Sequence, residues 1–362
     1  MWKPAAAVCL LVACSATPSP VASPSPTAST TSPTPAPTTP SASPTPSRTP
    51  DPGPAWPRVA RGPAPPALGA VVTLRVAARS DGGTLAAGLL LPRVGGSPAS
   101  PLVLTPCGRR TSLRGADVRA VAAGSGGALP KTAADITVLL DPGHGGAARG
   151  AAGAPGSPPE KVRNLEVARE VRRALAGRVG RVYLTRDRDL DAVLTFRTTL
   201  ADALRADVAV SVHFNGEPDG PLSRPGVETY ASVADPYGRR LAGVMYAAQR
   251  RFLDTVGGPW VGDRDAGAKY RLGRDGRDFY ALLRRGHVPW VISESLFISQ
   301  PREAQLLAGP GFRVGLGAAI AEGIVSFTTS RAPGSGWTRP YPRPASDVGG
   351  RGNAPACVDP AR

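Results

Sequence analysis

The segment between residues 135 and 328 alternates between short apolar runs and stretches of helical periodicity, and this alternation restricts the fold most. Strand-like runs occur at ITVLL, VYLT, DVAVSV, GVETYA and VPWVIS. Between them, apolar residues share one helical face from Val162 to Leu175 and another from Leu241 to Phe252. Strands that alternate with amphipathic helices predict an α/β fold, with a mostly parallel or mixed sheet covered by helices on both faces.

The composition of the other segments divides the chain further. Residues 15–54 are almost entirely Ser, Thr, Pro and Ala, which provide too few apolar side chains to offset the entropy of ordering. We expect them to form a disordered, extended stalk. Residues 55–134 contain short alternating runs broken by Gly and Pro, which predict a small accessory β region or a strand added to the main domain. Residues 329–362 are rich in Gly, Pro and Arg, and we expect a disordered tail apart from Cys357.

The first 14 residues resemble an export signal, with one positive residue, Lys3, and an apolar core from Ala5 to Ala13. That core is shorter than the roughly 20 residues that span a bilayer. It ends in Leu-Val-Ala-Cys, which resembles the lipobox of bacterial lipoproteins, where the cysteine carries the lipid. We therefore expect a lipoprotein signal over residues 1–14, lipidation at Cys14, and a protein on the outer face of the cytoplasmic membrane that reaches into the cell wall. The alternative is a secreted protein with an ordinary signal.

The charge of the chain is strongly positive, with 43 Lys and Arg residues against 27 Asp and Glu residues and a net charge of +16. Such a surface attracts polyanions, for example anionic lipid or the phosphate polymers of a cell wall. Basic residues interleaved with aromatic residues do not occur as a run, so we expect no nucleic-acid partner.

Two cysteines, Cys107 and Cys357, remain once the signal segment is set aside. In an oxidising compartment such cysteines pair, so we predict a disulfide between them. The sequence gives no distance between the two positions.

Three polar residues follow or end predicted strands. His144 follows ITVLL within the turn DPGHGG, His213 ends DVAVSV, and Glu294 follows VPWVIS. In open α/β sheets, functional groups collect beyond the carboxyl ends of parallel strands. If these strands are parallel, the three side chains open onto one edge of the sheet. His287 precedes the strand that Glu294 ends, about 23 Å of extended chain away, and is expected to be structural or on the surface.

Glu160 has two interpretations. Ser157 followed by Glu160 at the start of a helix is a capping-box pattern. Two histidines with one glutamate also form the His₂Glu set of catalytic zinc sites, and a glutamate directly after the His144 loop is well placed to be the third ligand.

An ordered set of segments resembles the zinc-dependent N-acetylmuramoyl-L-alanine amidases of bacterial cell-wall remodelling. The segments are DPGHGG, EKVRNLEVA, TRDRDLDAVLTFRTTLADALRADVAVSVHFNG, GVETYA and VPWVISESLFIS, within residues 135–328. The resemblance implies a catalytic domain there, one zinc ion held by His144, Glu160 and His213, and peptidoglycan as the substrate. It also implies that Glu294 is catalytic.

The sequence departs from the family pattern in two places. It has AARGAAG after the glycine pair, where relatives usually have an acidic residue, and Leu296 where they often have glycine. A long insertion between Asn215 and Gly226, where some relatives carry a helix that blocks the site, is absent. Two other functions stay open: a non-catalytic wall-binding or regulatory lipoprotein that kept the fold, and a zinc amidase or peptidase acting elsewhere on the wall.

Overall fold

Thirteen strands and six α-helices form in the part of the chain that the structure, a computed structural model, describes. The described residues are 53–61, 70–80, 83–216, 226–258, 267–338 and 357–359. The strands are β1 (Val71–Leu74), β2 (Ala78–Ser80), β3 (Gly83–Leu85), β4 (Leu90–Gly96), β5 (Pro101–Leu104), β6 (Arg110–Ser112), β7 (Val118–Ala120), β8 (Thr137–Pro142), β9 (Arg181–Leu184), β10 (Val208–Asn215), β11 (Glu228–Ala231), β12 (Gly267–Lys269) and β13 (Trp290–Phe297). The helices are α1 (Glu160–Leu175), α2 (Leu194–Ala203), α3 (Gly238–Val256), α4 (Ala281–Arg285), α5 (Pro301–Ala308) and α6 (Pro310–Thr329).

Several predicted features lie outside the described residues: the signal segment with Cys14, nearly all of the stalk, and most of the region between Asn215 and Gly226. All described residues belong to one compact unit. Among them, we find no helix with the length and apolar character needed to span a membrane.

The N-terminal region forms an antiparallel five-stranded sheet in the order β6-β5-β4-β1-β7, with a separate β2–β3 hairpin. Its apolar side chains are buried because they face α2 rather than water. Val71, Leu91 and Val103 belong to the same core cluster as Phe196 and Leu200 of α2. The N-terminal sheet therefore shares a core with the rest of the molecule.

A six-stranded sheet in the order β12-β11-β13-β10-β8-β9 forms the centre of the molecule. Strands β9, β8, β10 and β13 are parallel, whereas β11 is antiparallel to β13 and parallel to β12. Strands β8 and β10 are buried on both faces, which explains their continuous apolar runs. The predicted mostly parallel or mixed sheet is confirmed as a mixed sheet.

Helices cover both faces of this central sheet, as predicted. On one face, α1, α3 and α6 contribute Val171, Met245 and Ile320 to a common core with Val138 and Val210. On the other face, α2 and α4 pack with the N-terminal sheet. Since both faces are covered, only the ends of the strands remain open to ligands.

The C-terminal tail is described in two pieces. Residues 330–338 follow α6 and include Trp337, whose Nε1 donates a hydrogen bond to the Arg239 carbonyl oxygen. Residues 357–359 lie against the N-terminal sheet, where Cys357 forms a disulfide with Cys107.

Candidate active site

The parallel arrangement of β8, β10 and β13 brings the three polar strand-end residues to one edge. His213 and Glu294 lie directly opposite each other in the β10–β13 register. The last residue of β8 is Pro142, which pairs with Val212 of β10, and His144 lies two residues after it. The three side chains thus lie together near the carboxyl end of the sheet, although β10 and β13 continue beyond His213 and Glu294 to Asn215 and Phe297.

His144 sits in a tight turn with an unusual backbone conformation. Its φ is 58°, in the left-handed region that non-glycine residues seldom adopt, and Gly145 and Gly146 follow with φ of 124° and 56°. Side chains from the loop before α2 hold this turn: Asp189 accepts a hydrogen bond from the Gly146 N–H (2.8 Å), and Asp191 accepts one from the Ala147 N–H (3.0 Å). The turn aims the His144 ring at the start of α1.

Glu160 lies between the two histidine rings and is 2% exposed. Its Oε2 is 3.0 Å from His144 Nε2, and its Oε1 is 2.9 Å from His213 Nδ1. The carboxylate also accepts hydrogen bonds from the Ala151 N–H (2.7 Å) and Asn164 Nδ2 (3.0 Å). With the Phe214 N–H (3.2 Å), five partners converge on this buried side chain and orient it towards both rings.

The capping interpretation of Glu160 does not match this geometry. Pro159 is the N-cap of α1, and among the described residues no side chain makes a capping hydrogen bond there. The Glu160 carboxylate points away from its own helix start, towards His144 and His213.

The His144, Glu160 and His213 side chains fit a metal ion. One donor atom from each lies within 4.8 Å of the others. Two imidazole nitrogens and a carboxylate oxygen are a ligand set typical of catalytic zinc. Two glycines leave space for these side chains. A Cβ at Gly143 would lie 2.1 Å from His213 Cε1, and a Cβ at Gly150 would lie 2.3 Å from Glu160 Oε2.

The electrostatics of Glu160 and His213 favour the protonation states that bind metal. Burial works to raise the pKa of Glu160, but the contacts with the His144 and His213 rings hold that pKa well below its usual value. Burial lowers the pKa of His213, which favours the neutral imidazole. An ionised carboxylate and a neutral imidazole are the forms that coordinate a cation.

Glu294 faces the same cavity but has a different environment. Its Oε2 is buried and has no hydrogen-bond partner among the described residues. Burial, followed by the nearby carboxylates of Glu160 and Glu228, raises its pKa well above the usual value. The two arginines that could have neutralised it bond elsewhere: Arg284 to the Asp278 carbonyl oxygen and Arg285 to Thr195. Glu294 therefore lies beside the His144, Glu160 and His213 cluster without a salt bridge to any described residue. A carboxyl group in such a position is suited to accept and donate a proton.

Comparison with known proteins identifies the family of this chain. Residues 138–326 match the family described as N-acetylmuramoyl-L-alanine amidase (Amidase_3). The chain belongs to this family.

An endolysin of Bacillus phage SPP1 is 33% identical over 201 residues, which cover 55% of this chain and 68% of the endolysin. N-acetylmuramoyl-L-alanine amidase AmiC of Neisseria meningitidis is 29% identical over 221 residues, 52% of each chain, so this chain spans about half the length of that relative. A solved structure, AmiC2 of Nostoc punctiforme, is 27% identical with a TM-score of 0.45, covering 53% of this chain and 96% of that chain.

A buried polar network below the amidase site was missed by the sequence analysis. Asp141 forms an ion pair with Arg197 and accepts hydrogen bonds from Thr185 (2.6 Å) and Ser211 (2.7 Å). Arg186, 1% exposed, donates to the Gly143 carbonyl oxygen (2.9 Å), and burial lowers its pKa to about 10. The sequence did contain a signal for this network, because the polar residue Asp141 directly follows the apolar run ITVLL.

A second missed cluster adjoins Glu294. Glu228 of β11 lies opposite Glu294 in the sheet and forms a buried ion pair with Lys269 (2.6 Å). Its Oε2 also accepts hydrogen bonds from Asn215 Nδ2 (2.6 Å) and the Tyr230 hydroxyl (2.9 Å). The signal in the sequence was a carboxylate inside an apolar run, GVETYA.

His287 lies at the other end of the sheet, as its sequence position indicated. Its Nδ1 is 3.2 Å from Asp202 Oδ2. His287 is not part of the possible metal-binding cluster found among the described residues, which consists of His144, Glu160 and His213.

The active-site cavity has a volume of about 330 Å³. Its lining includes His144, His213 and Glu294, the loop before α2, part of α4, and Cys357.

Proposed function

We propose that this protein is a zinc-dependent amidase that hydrolyses the amide bond between N-acetylmuramic acid and L-alanine in peptidoglycan, for cell-wall remodelling or cell separation. The observation that carries the proposal is the convergence of His144, Glu160 and His213 on one point, with Glu294 opposite His213, in a chain of the amidase family. We assign the catalytic domain to residues 135–328 and one zinc ion to each chain.

The two histidines and Glu160 would hold the metal. When bound, zinc supplies Lewis-acid chemistry for hydrolysis of a carbonyl group. Glu160 keeps both rings in place because each of its oxygens contacts one of them. The Asn164 amide and the Ala151 N–H fix the carboxylate in turn, so the site is formed before any ligand arrives.

Glu294 would act as the general base and then as the general acid. Its carboxylate accepts a proton from the attacking water, whose oxygen bonds to the lactyl carbonyl carbon. The carbon–nitrogen bond then breaks, and Glu294 delivers the proton to the L-alanine nitrogen. The products are a lactyl carboxylate on the sugar and a peptide with a free L-alanine amine. The raised pKa of Glu294 suits a group that must both take and release a proton.

Product analysis on purified peptidoglycan tests this function. The zinc-loaded protein should release new L-alanine amino groups without creating new reducing sugar ends. A chelator should abolish the reaction, and added zinc should restore it. New amino groups on another residue would favour the alternative amidase or peptidase specificity. Absence of any product from a folded, zinc-loaded protein would favour the non-catalytic wall-binding lipoprotein.

We also propose that the protein is exported and anchored through a lipid on Cys14, with residues 15–54 as a stalk that lets the amidase reach into the wall. The net charge of +16 supports attraction to anionic wall polymers. Mass spectrometry of the mature protein should find a diacylglyceryl cysteine at position 14. A soluble, unmodified protein cleaved elsewhere would show secretion instead.

A further inference from the structure

The Glu294 carboxyl group has no salt bridge among the described residues, and its buried Oε2 has no hydrogen-bond partner there. Its direction therefore depends on the β13 backbone that carries it. We propose that Glu303 of α5 and Gln249 of α3 are positioning residues, which hold this backbone on either side of Glu294 so that the carboxyl group meets the attacking water. The inference rests on the proposed function, because it concerns the rate of the same reaction.

Strand β13 loses one of its two neighbouring strands at Glu294. Its pairing with β11 ends where Glu228, the first residue of β11, lies opposite Glu294. Residues 295–297 therefore have a strand partner only in β10. The β10 pairing is also irregular there, because its register shifts between His213 and Asn215. The backbone just after Glu294 thus has less support from the sheet than the backbone just before it.

Glu303 supplies part of the missing support. Its Oε2 accepts a hydrogen bond from the Phe297 N–H (2.8 Å), as the carbonyl oxygen of a neighbouring strand would. The Glu303 side chain is fully buried, and its Oε1 has no hydrogen-bond partner among the described residues. Burial of a carboxyl group with one oxygen unpaired costs free energy, which the bond to Phe297 offsets in part. This bond ties α5 to the strand segment that follows Glu294.

Gln249 supports the other side of Glu294. Its Oε1 accepts a hydrogen bond from the Ser293 hydroxyl (3.1 Å), and the hydroxyl oxygens of Ser293 and Ser295 are 3.2 Å apart. Its Nε2 donates to the Met245 carbonyl oxygen of its own helix (3.2 Å). Gln249 and both serines are fully buried, so water does not compete for these contacts. Since the two serines directly precede and follow Glu294, one side chain of α3 is linked to both of its neighbours.

Loss of either contact should affect the rate rather than the binding of substrate or zinc. Neither Glu303 nor Gln249 lines the active-site cavity, and neither belongs to the possible metal-binding cluster. A general base works only within hydrogen-bond reach of the water that it deprotonates. Misplacement by about 1 Å can cost about 100-fold in rate, so we expect kcat to fall by about 10-fold to 100-fold.

Glu303→Leu and Gln249→Leu each remove one of the two contacts. Glu303→Gln is the rescue variant, because its amide oxygen can still accept the Phe297 N–H. We would measure kcat and KM for release of L-alanine amine from a soluble N-acetylmuramoyl peptide by the zinc-loaded full chain. Both leucine variants should lose kcat with KM and zinc content unchanged, and Glu303→Gln should keep near wild-type kcat.

Thr328→Val is the matched control. It removes a fully buried hydroxyl group whose hydrogen bond goes to the Ile324 carbonyl oxygen of its own helix, α6 (2.8 Å). We expect wild-type kcat in this variant. Circular dichroism shows whether each variant is folded, and because the two leucine variants lie on different helices, either one tests the inference if the other does not fold.

Hydrogen exchange of backbone amides tests the two contacts without zinc or hydrolysis. On the zinc-free full chain, mass spectrometry should show faster exchange in residues 293–297 for both leucine variants. The Glu303→Gln and Thr328→Val proteins should exchange like the wild type in this segment.

Three results would overturn the inference: wild-type kcat in both folded leucine variants, an equal loss of kcat in Thr328→Val, or wild-type exchange of residues 293–297 in both leucine variants. Failure of the proposed function would be a different result, since the wild type itself would then release no L-alanine amine. The exchange measurement would still decide whether Glu303 and Gln249 hold β13.

Discussion

Arg197 Nη2 donates a hydrogen bond of 2.8 Å to the backbone carbonyl oxygen of His144, the residue held in a left-handed conformation. The same guanidinium pairs with the buried Asp141 and donates to the carbonyl oxygens of Pro142 and Ala192. Arg197 is 4% exposed, so these contacts are shielded from water. One side chain of α2 thus ties the end of β8 to the turn that presents a proposed zinc ligand.

Replacing Arg197 by Lys should weaken zinc binding while keeping the positive charge beside Asp141. A lysine cannot reproduce the forked contacts, so the His144 turn loses its support. We expect zinc affinity to fall by about 10-fold to 100-fold, the range seen when groups that orient metal ligands are removed. Competition with a metal-binding dye measures it.

The control is Arg178→Lys, since Arg178 pairs with Glu322 on the surface. Wild-type zinc affinity in the Arg197→Lys protein would mean that the glycine turn holds His144 unaided.

The Glu160→Ala variant tests whether Glu160 is a metal ligand or a helix cap. We expect the variant to lose stoichiometric zinc, because one of the three donors is gone. A residue that acted only as a cap would cost about 1 kcal/mol of stability and leave metal binding intact. Metal analysis after dialysis gives the answer.

Ser157→Ala is the matched variant, as Ser157 is the other half of the capping-box pattern. It should change neither zinc content nor melting temperature. Full zinc content in the Glu160→Ala protein would show that Glu160 is a helix cap and not a metal ligand.

Glu294→Gln should fold and bind zinc normally but lose about 100-fold or more in rate, because the amide cannot accept the proton of the attacking water. Release of L-alanine amine from peptidoglycan measures the rate, and metal analysis measures the zinc. Glu322→Gln, at a surface pair with Arg178, serves as the control. Near wild-type cleavage by the Glu294→Gln protein would remove this residue from the mechanism.

Glu303 should make the stability of the protein depend on pH. The side chain is fully buried, and its Oε2 accepts a hydrogen bond from the Phe297 N–H (2.8 Å). Burial raises its pKa from 4.5 to about 7, so the folded protein keeps a proton that the unfolded chain has lost. Its contribution to stability is fully present below about pH 4.5 and is lost as the pH rises through 7.

Glu303→Gln removes this titration. At about 1.4 kcal/mol per pH unit, the wild type should lose up to about 3 kcal/mol relative to the variant between pH 4.5 and 7. Urea unfolding of both proteins across this range measures the difference. A difference that stays constant with pH would show that Glu303 does not titrate there.

Local properties of the chain predicted a large part of this structure. The alternating strands and helices, the mixed sheet, and the positions of His144, His213 and Glu294 at its carboxyl edge all follow from periodicity, turns and strand order. These features depend on neighbours within a few residues, which a sequence displays directly. Family membership followed from the same segments, since their order and spacing are properties of the chain alone.

Only the tertiary structure decided how distant side chains pair. The Glu160 pattern is equally compatible with a cap and a ligand until packing sets its carboxylate between two rings. Arg197 and the His144 carbonyl oxygen are 53 residues apart, Lys269 and Glu228 are 41 apart, and Cys107 and Cys357 are 250 apart. Such contacts arise when whole elements pack, so their geometry depends on the fold as a whole and no local pattern encodes it. For this reason the sequence determined which chemical groups stand at the edge of the sheet. Packing determined which of them meet and how they are charged.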